Sequence, residues 1–153
     1  TVTFILLILG LFSMIGTRFG GYSADKLGTE RTLLICLTIH ALSLLSLPLL
    51  TSSWLATLIS MVIWVSAAWM TGPTMQTYFV QRVPQATDLV LSLNTSVMQL
   101  GTALGAGLGG MIIKSTTSSG YNPWVGGGML LLGLLAAFFS LSLSRKQMRT
   151  KQS

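Results

Sequence analysis

Charge is what this sequence has least of. Only 8% of its 153 residues are charged and 51% are hydrophobic, whereas soluble domains carry roughly 25% charged residues. The mean hydropathy is +0.73, and a soluble globular domain is excluded. Acids are scarcest, with Asp25, Glu30 and Asp88 making up the full set of 3, none of them inside a long apolar run. A single histidine, His40, and a single cysteine, Cys36, leave no disulfide, no metal-ligand cluster and no nucleophile–base set. No catalytic residue, metal or cofactor is expected, and the chain does not read as an enzyme. The first apolar run has no basic leader, so no cleavable signal peptide is expected either.

What the sequence does have is long uncharged stretches. Charge is absent from 1–17, 32–81, 89–113 and 115–144, and a membrane-crossing helix needs about 20 mostly apolar residues. The second stretch holds two helices, divided near Thr51-Ser52-Ser53. The pattern predicts an all-α, polytopic membrane protein with five spans, at about 2–17, 32–50, 54–80, 89–113 and 124–144. Asn122-Pro123 reads as an N-cap and a first-turn proline for the fifth helix.

The net charge of +6 invites a nucleic-acid reading. The 9 basic residues, however, are spread over connections between apolar segments, and no nucleic-acid partner is expected. Arg18, Lys26 and Arg31 flank the first connection, and Arg82 lies in the third. Arg145, Lys146, Arg149 and Lys151 form the tail, and Lys114 alone falls on the other side. Cytoplasmic connections carry the excess of Lys and Arg, so the expected topology puts the N-terminus outside and the C-terminus in the cytoplasm. Trp54, Tyr121 and Trp124 then sit at outer ends, where amphipathic rings settle at the interface.

The first connection reads Gly21-Tyr22-Ser23-Ala24-Asp25-Lys26-Leu27-Gly28-Thr29-Glu30-Arg31. It is expected to be a short polar hairpin, with Asp25 acting on a neighbouring helix end or pairing with Arg31 or Lys26. Gly21, Asp25, Lys26, Gly28 and Arg31 match the loop signature Gly-x-x-x-Asp-(Arg/Lys)-x-Gly-x-x-(Arg/Lys), and the chain resembles the major facilitator superfamily of transporters. The resemblance implies that this turn latches helix ends in one conformational state. Thr29 and Glu30 depart from the fuller pattern, where basic residues are common. An ordinary cytoplasmic hairpin is the alternative.

In that superfamily the turn recurs between helices two and three and, more weakly, between eight and nine. Four spans follow it here, the chain opens on Thr1, and the first span looks cut off. The resemblance therefore implies that residues 1–153 are helices eight to twelve, a partial C-terminal six-helix bundle whose N-terminal helices are missing. It is similar above all to the proton-coupled antiporters that export drugs and sugars. A small organic substrate and protons are the implied partners, along with the bilayer of the cell membrane. The acid that couples protons is implied to lie in the missing half.

Intramembrane polar residues are functional candidates by default. Trp69 and Gln76 share a face of the third span with Gly72, and Asn94 and Gln99 lie on the fourth. Cavity lining and structural hydrogen bonding both remain open for them. Gly72-Pro73 is expected to loosen the third helix. Gly101, Gly105 and Gly109 recur every four residues and predict a smooth face for close helix packing. The run Gly105–Gly110 is formally G-x-G-x-x-G, but it follows no strand and is not expected to bind a dinucleotide. His40 is expected to be structural. The alternative to a transporter is a small autonomous five-helix scaffold or assembly protein.

Overall fold

The computed structural model describes residues 2–116 and 120–150, with side chains described up to residue 143. The expected tail cations Arg145, Lys146, Arg149 and Lys151 therefore lie outside the described side chains. Five long helices follow one another: α1 Val2–Leu27, α2 Thr29–Ser46, α3 Trp54–Arg82, α4 Thr87–Thr116 and α5 Asn122–Thr150. Short 3-10 turns at Leu47–Leu49 and Pro84–Ala86 lead out of α2 and into α4. All five helices are long and apolar enough to cross a membrane, and the described residues include no strand.

The ends of these helices follow from local chemistry. Only Gly28 separates α1 from α2, and its φ of 85° lies where side-chain-bearing residues are disfavoured. Pro48 sits in the 3-10 turn after α2, and Ser53 then caps α3 by accepting from the Ala56 N–H at 3.5 Å. Helix α3 continues through Pro73. That proline has no N–H to give the Trp69 carbonyl, so the expected loosening is confined to one missing bond in an otherwise continuous helix. At the start of α5 the Tyr121 carbonyl accepts from the Val125 N–H at 3.1 Å. The helix thus begins one residue earlier than expected, with Pro123 still in its first turn.

The first connection differs most from expectation. It is no extended hairpin: residues 21–27 continue α1 and 29–31 open α2. None of the side chains at 21–27 breaks a helix, and glycines at 20 and 21 near the helix end cost little when backbone hydrogen bonds are already in place.

Helix α3 is the centre of the bundle, packed on one side by α1 and on another by α2, and α5 lies along α2. The α1–α3 contact is backbone on backbone. A Cβ added to Gly16 would fall 2.5 Å from the Ser66 carbonyl oxygen, and one added to Gly20 would fall 2.6 Å from that of Met70. The Thr74 hydroxyl, fully buried, reaches the Gly20 carbonyl at 3.4 Å. Between α2 and α3 the join is partly polar, with Ser46 Oγ and Ser60 Oγ 3.0 Å apart and Ser60 donating to the Ser43 carbonyl at 3.0 Å. Gly126 and Gly127 of α5 receive Leu44 and Leu45 of α2. Helix α4 buries no residue at all.

Candidate functional site

At the Gly28 end of the bundle, three helices converge on a polar cavity of about 300 Å³ lined by Leu27, Gly28, Thr29, Glu30, Arg31, Gln81 and Arg82. Its centre is an ion pair between Arg82 of α3 and Glu30 in the first turn of α2. The Arg82 guanidinium also lies 5.4 Å from the centre of the Tyr78 ring, and the Thr29 hydroxyl donates to Gln81 Oε1 at 3.4 Å. An acid in the first turn of a helix is favoured by the helix dipole, so Glu30 suits this position twice over. The pair ties the start of α2 to the end of α3. Thr32 ties α2 to α1 in the same region, donating from its buried hydroxyl to the Ser23 carbonyl at 2.9 Å.

The structure thereby redistributes the roles expected within residues 21–31. Gly28 is the turn. Gly21 lies in α1, where a Cβ would meet nothing within 4 Å, so it makes no close helix approach. Lys26 stands over the Tyr22 ring, 4.9 Å from its centre. Asp25 and Arg31 are exposed, and the expected pairing of Asp25 with Lys26 or Arg31 does not form among the described residues. Spacing explains why: Asp25 leaves α1 on the side away from α3, whereas Glu30 faces it. The acid that pairs is the one that departs from the loop signature.

Trp69 and Gln76 both sit on an exposed face of α3, and the Trp69 side chain is 55% exposed. Asn94 donates to Met98 Sδ at 3.6 Å within α4, and Gln99 is exposed. No hydrogen bond joins these α3 and α4 residues among those described. They line surfaces, not yet a shared pocket.

The expected packing face Gly101, Gly105 and Gly109 is open. A Cβ at Gly101 or Gly105 would meet nothing within 4 Å, and one at Gly109 would lie 3.6 Å from Asn122 Nδ2. The glycines that do pack, Gly16 and Gly20, have the small-x-x-x-small spacing of close membrane helix pairs, which is the signal that identifies them in the sequence. His40 meets Trp64 edge-on, with ring centres 6.1 Å apart, at the α2–α3 contact. The described residues contain no group of His, Cys, Asp and Glu able to hold a metal ion.

The arrangement supports movement better than bond chemistry: a tied three-helix end, a rigid α1–α3 pair, and one helix with nothing packed along its glycines. Comparison with known proteins agrees. The family model of the Major Facilitator Superfamily matches residues 1–153. An uncharacterized MFS-type transporter of Bacillus subtilis, YbcL, is 36% identical over 143 residues, covering 94% of this chain and 36% of that protein. The inner membrane transport protein YdhP of Escherichia coli K12 is 32% identical over 151 residues, covering 97% of this chain and 37% of the relative. YceJ of B. subtilis, another uncharacterized MFS-type transporter, is 26% identical over 146 residues. The chain thus spans little more than a third of the length of these relatives, and no solved structure matches it. With the family model matched from end to end, the chain belongs to the Major Facilitator Superfamily and is part of a transporter, not an enzyme.

Proposed function

We propose that residues 1–153 are helices eight to twelve of a twelve-helix transporter of the cell membrane. It exports drugs, sugars or other small organic molecules in exchange for protons. The mechanism is alternating access, in which two helical bundles rock around a central site. The observation that carries this reading is α4: its 30 residues include none that is buried, and its glycines face open space. In a finished membrane protein such a smooth face is a contact surface, and an opposite bundle fits it. In this reading α1 and α4 face that bundle, α3 lines the cavity, and α2 and α5 lie outside. The contact of α2 with α5 supports the last assignment. The N-terminus of the chain is outside and its C-terminus cytoplasmic.

Reconstitution tests the proposal. The complete protein carrying this sequence, in proteoliposomes with an imposed pH gradient, is expected to move an organic solute against its concentration gradient. The 153-residue chain alone is expected to move none. Robust gradient-driven transport by the short chain would contradict the proposal and favour an assembly of five-helix units.

A further inference from the structure

Arg18 is an intramembrane cation, because α1 does not end at residue 17. The helix runs unbroken to Leu27. The bond from the Thr32 hydroxyl to the Ser23 carbonyl sets Ser23 level with the start of the uncharged stretch of α2. Arg18 lies five residues further from the charged end than Ser23, roughly 7.5 Å deeper at 1.5 Å per residue. Side chains on a helix tilt toward its N-terminus, and here that direction leads deeper into the membrane, away from Asp25 and Lys26.

The face that carries Arg18 is equally specific. Gly16 and Gly20 turn toward α3, and residue 18, two positions from each, points to the opposite side of the helix. Tyr22 and Lys26 continue from Arg18 at intervals of four, with Lys26 over the Tyr22 ring. A cation–aromatic–cation ladder therefore descends this face from the polar end. Below it the face becomes apolar with Met14, Ile15 and Leu11, all exposed. No hydrogen bond or ion pair holds Arg18 among the described residues. The chain's 3 acids, Asp25, Glu30 and Asp88, all lie near helix ends.

An arginine turned to lipid at such depth is unfavourable by about 2.5–3.5 kcal/mol even on the most lenient scales. Its face therefore meets water or protein, and a counter-anion must reach it from outside this chain. We propose that Arg18 binds the anionic group, carboxylate or phosphate, of an organic solute in the transport pathway, with Tyr22 and the apolar residues beneath flanking the solute's organic part. A planar guanidinium holds such a group through two parallel hydrogen bonds. This inference rests on the transporter reading and adds the charge of the solute to it.

The test uses the complete protein carrying this sequence, purified in detergent. Benzoate, citrate, phenyl phosphate and glucose 6-phosphate are each compared with an uncharged counterpart for protection against thermal unfolding. At least one anion is expected to protect where its counterpart does not. In Arg18→Gln the affinity is expected to fall about tenfold or more, the scale of a lost charged hydrogen bond. Arg18→Lys keeps the charge without the fork and is expected to lose only part of that affinity, which covers the case in which the glutamine variant does not fold. Protection by no anion overturns the proposal, as does undiminished protection in Arg18→Gln. It also fails if removing anionic lipid abolishes the effect of Arg18→Gln, which would assign Arg18 to a lipid phosphate. Destabilisation of Arg18→Gln that is equal with and without solute, and relieved by neutralising an acid elsewhere in the protein, would assign it to an internal ion pair and overturn it too. Proton-gradient transport is measured separately, so failure of proton coupling and failure of anion binding give different results.

Discussion

Gly20 and Gly105 look alike in the sequence, and their surroundings separate them. Gly20 leaves no space for a Cβ because the Met70 backbone of α3 occupies it, whereas Gly105 meets nothing within 4 Å. Gly20→Leu in the complete protein is expected to cost about 1–3 kcal/mol, the usual range for overpacking, read as a lowered unfolding midpoint. Gly105→Leu is expected to leave that midpoint nearly unchanged while impairing transport. Equal midpoints for the two variants would mean that the α1–α3 contact is not the tight one. Glu30 and Asp25 form a second contrast. The Glu30 and Arg82 side chains are 18% and 32% exposed, so solvent screens the pair and Glu30→Gln is expected to cost no more than about 1 kcal/mol. Asp25→Asn breaks no contact described here and is expected to leave stability unchanged. As the acid of the loop signature, it is expected to slow transport at normal protein levels. Normal transport by Asp25→Asn would remove the latch role from this residue.

At the scale of elements, helix existence was legible and helix ends were not. Five apolar stretches free of charge became five helices, because a bilayer admits little else. The start of α3 and the approximate ends of α4 were readable from Ser53 and the charged flanks. The end of α1 was not. A polar segment beside a glycine pair reads as a loop, yet nothing in residues 21–27 forbids a helix, and packing against α2 and α3 keeps it one. Arg18 was consequently read as a connection residue instead of a residue within the span. The partner choices of Glu30 and Gly16 were hidden for a related reason: they depend on which helix faces lie together, and spacing along one helix does not say so. The topology can be checked on single-cysteine variants made with Cys36→Ala. A thiol reagent that does not cross membranes is expected to reach Ser52→Cys from outside in sealed cells and not to reach Lys26→Cys. Both positions are exposed in the structure, so the absence of labelling at Lys26 reports the membrane and not burial. Labelling of Lys26→Cys in intact cells would reverse the proposed orientation.

The whole molecule divides into a packed part and an unpacked part. Helices α1, α2, α3 and α5 share a core built on glycine, serine and threonine contacts, while α4 and the outer faces of α1 and α3 carry exposed apolar side chains. In lipid, apolar exposure is unremarkable, but smooth glycines, an inward arginine and a half-exposed Trp69 on the same molecule point to surfaces that meet something else. Alternating access makes one direct demand of them: a residue at the middle of the cavity must open to each side of the membrane in turn. Trp69 lies near the middle of α3 with its side chain exposed. In the complete protein, Trp69→Cys with Cys36→Ala is expected to react with an impermeant thiol reagent from the outside in sealed right-side-out vesicles. It is expected to react from the cytoplasmic side in inverted ones, with a pH gradient favouring one reaction at the expense of the other. Reaction from one side only, whatever the gradient, or from neither, would contradict the account.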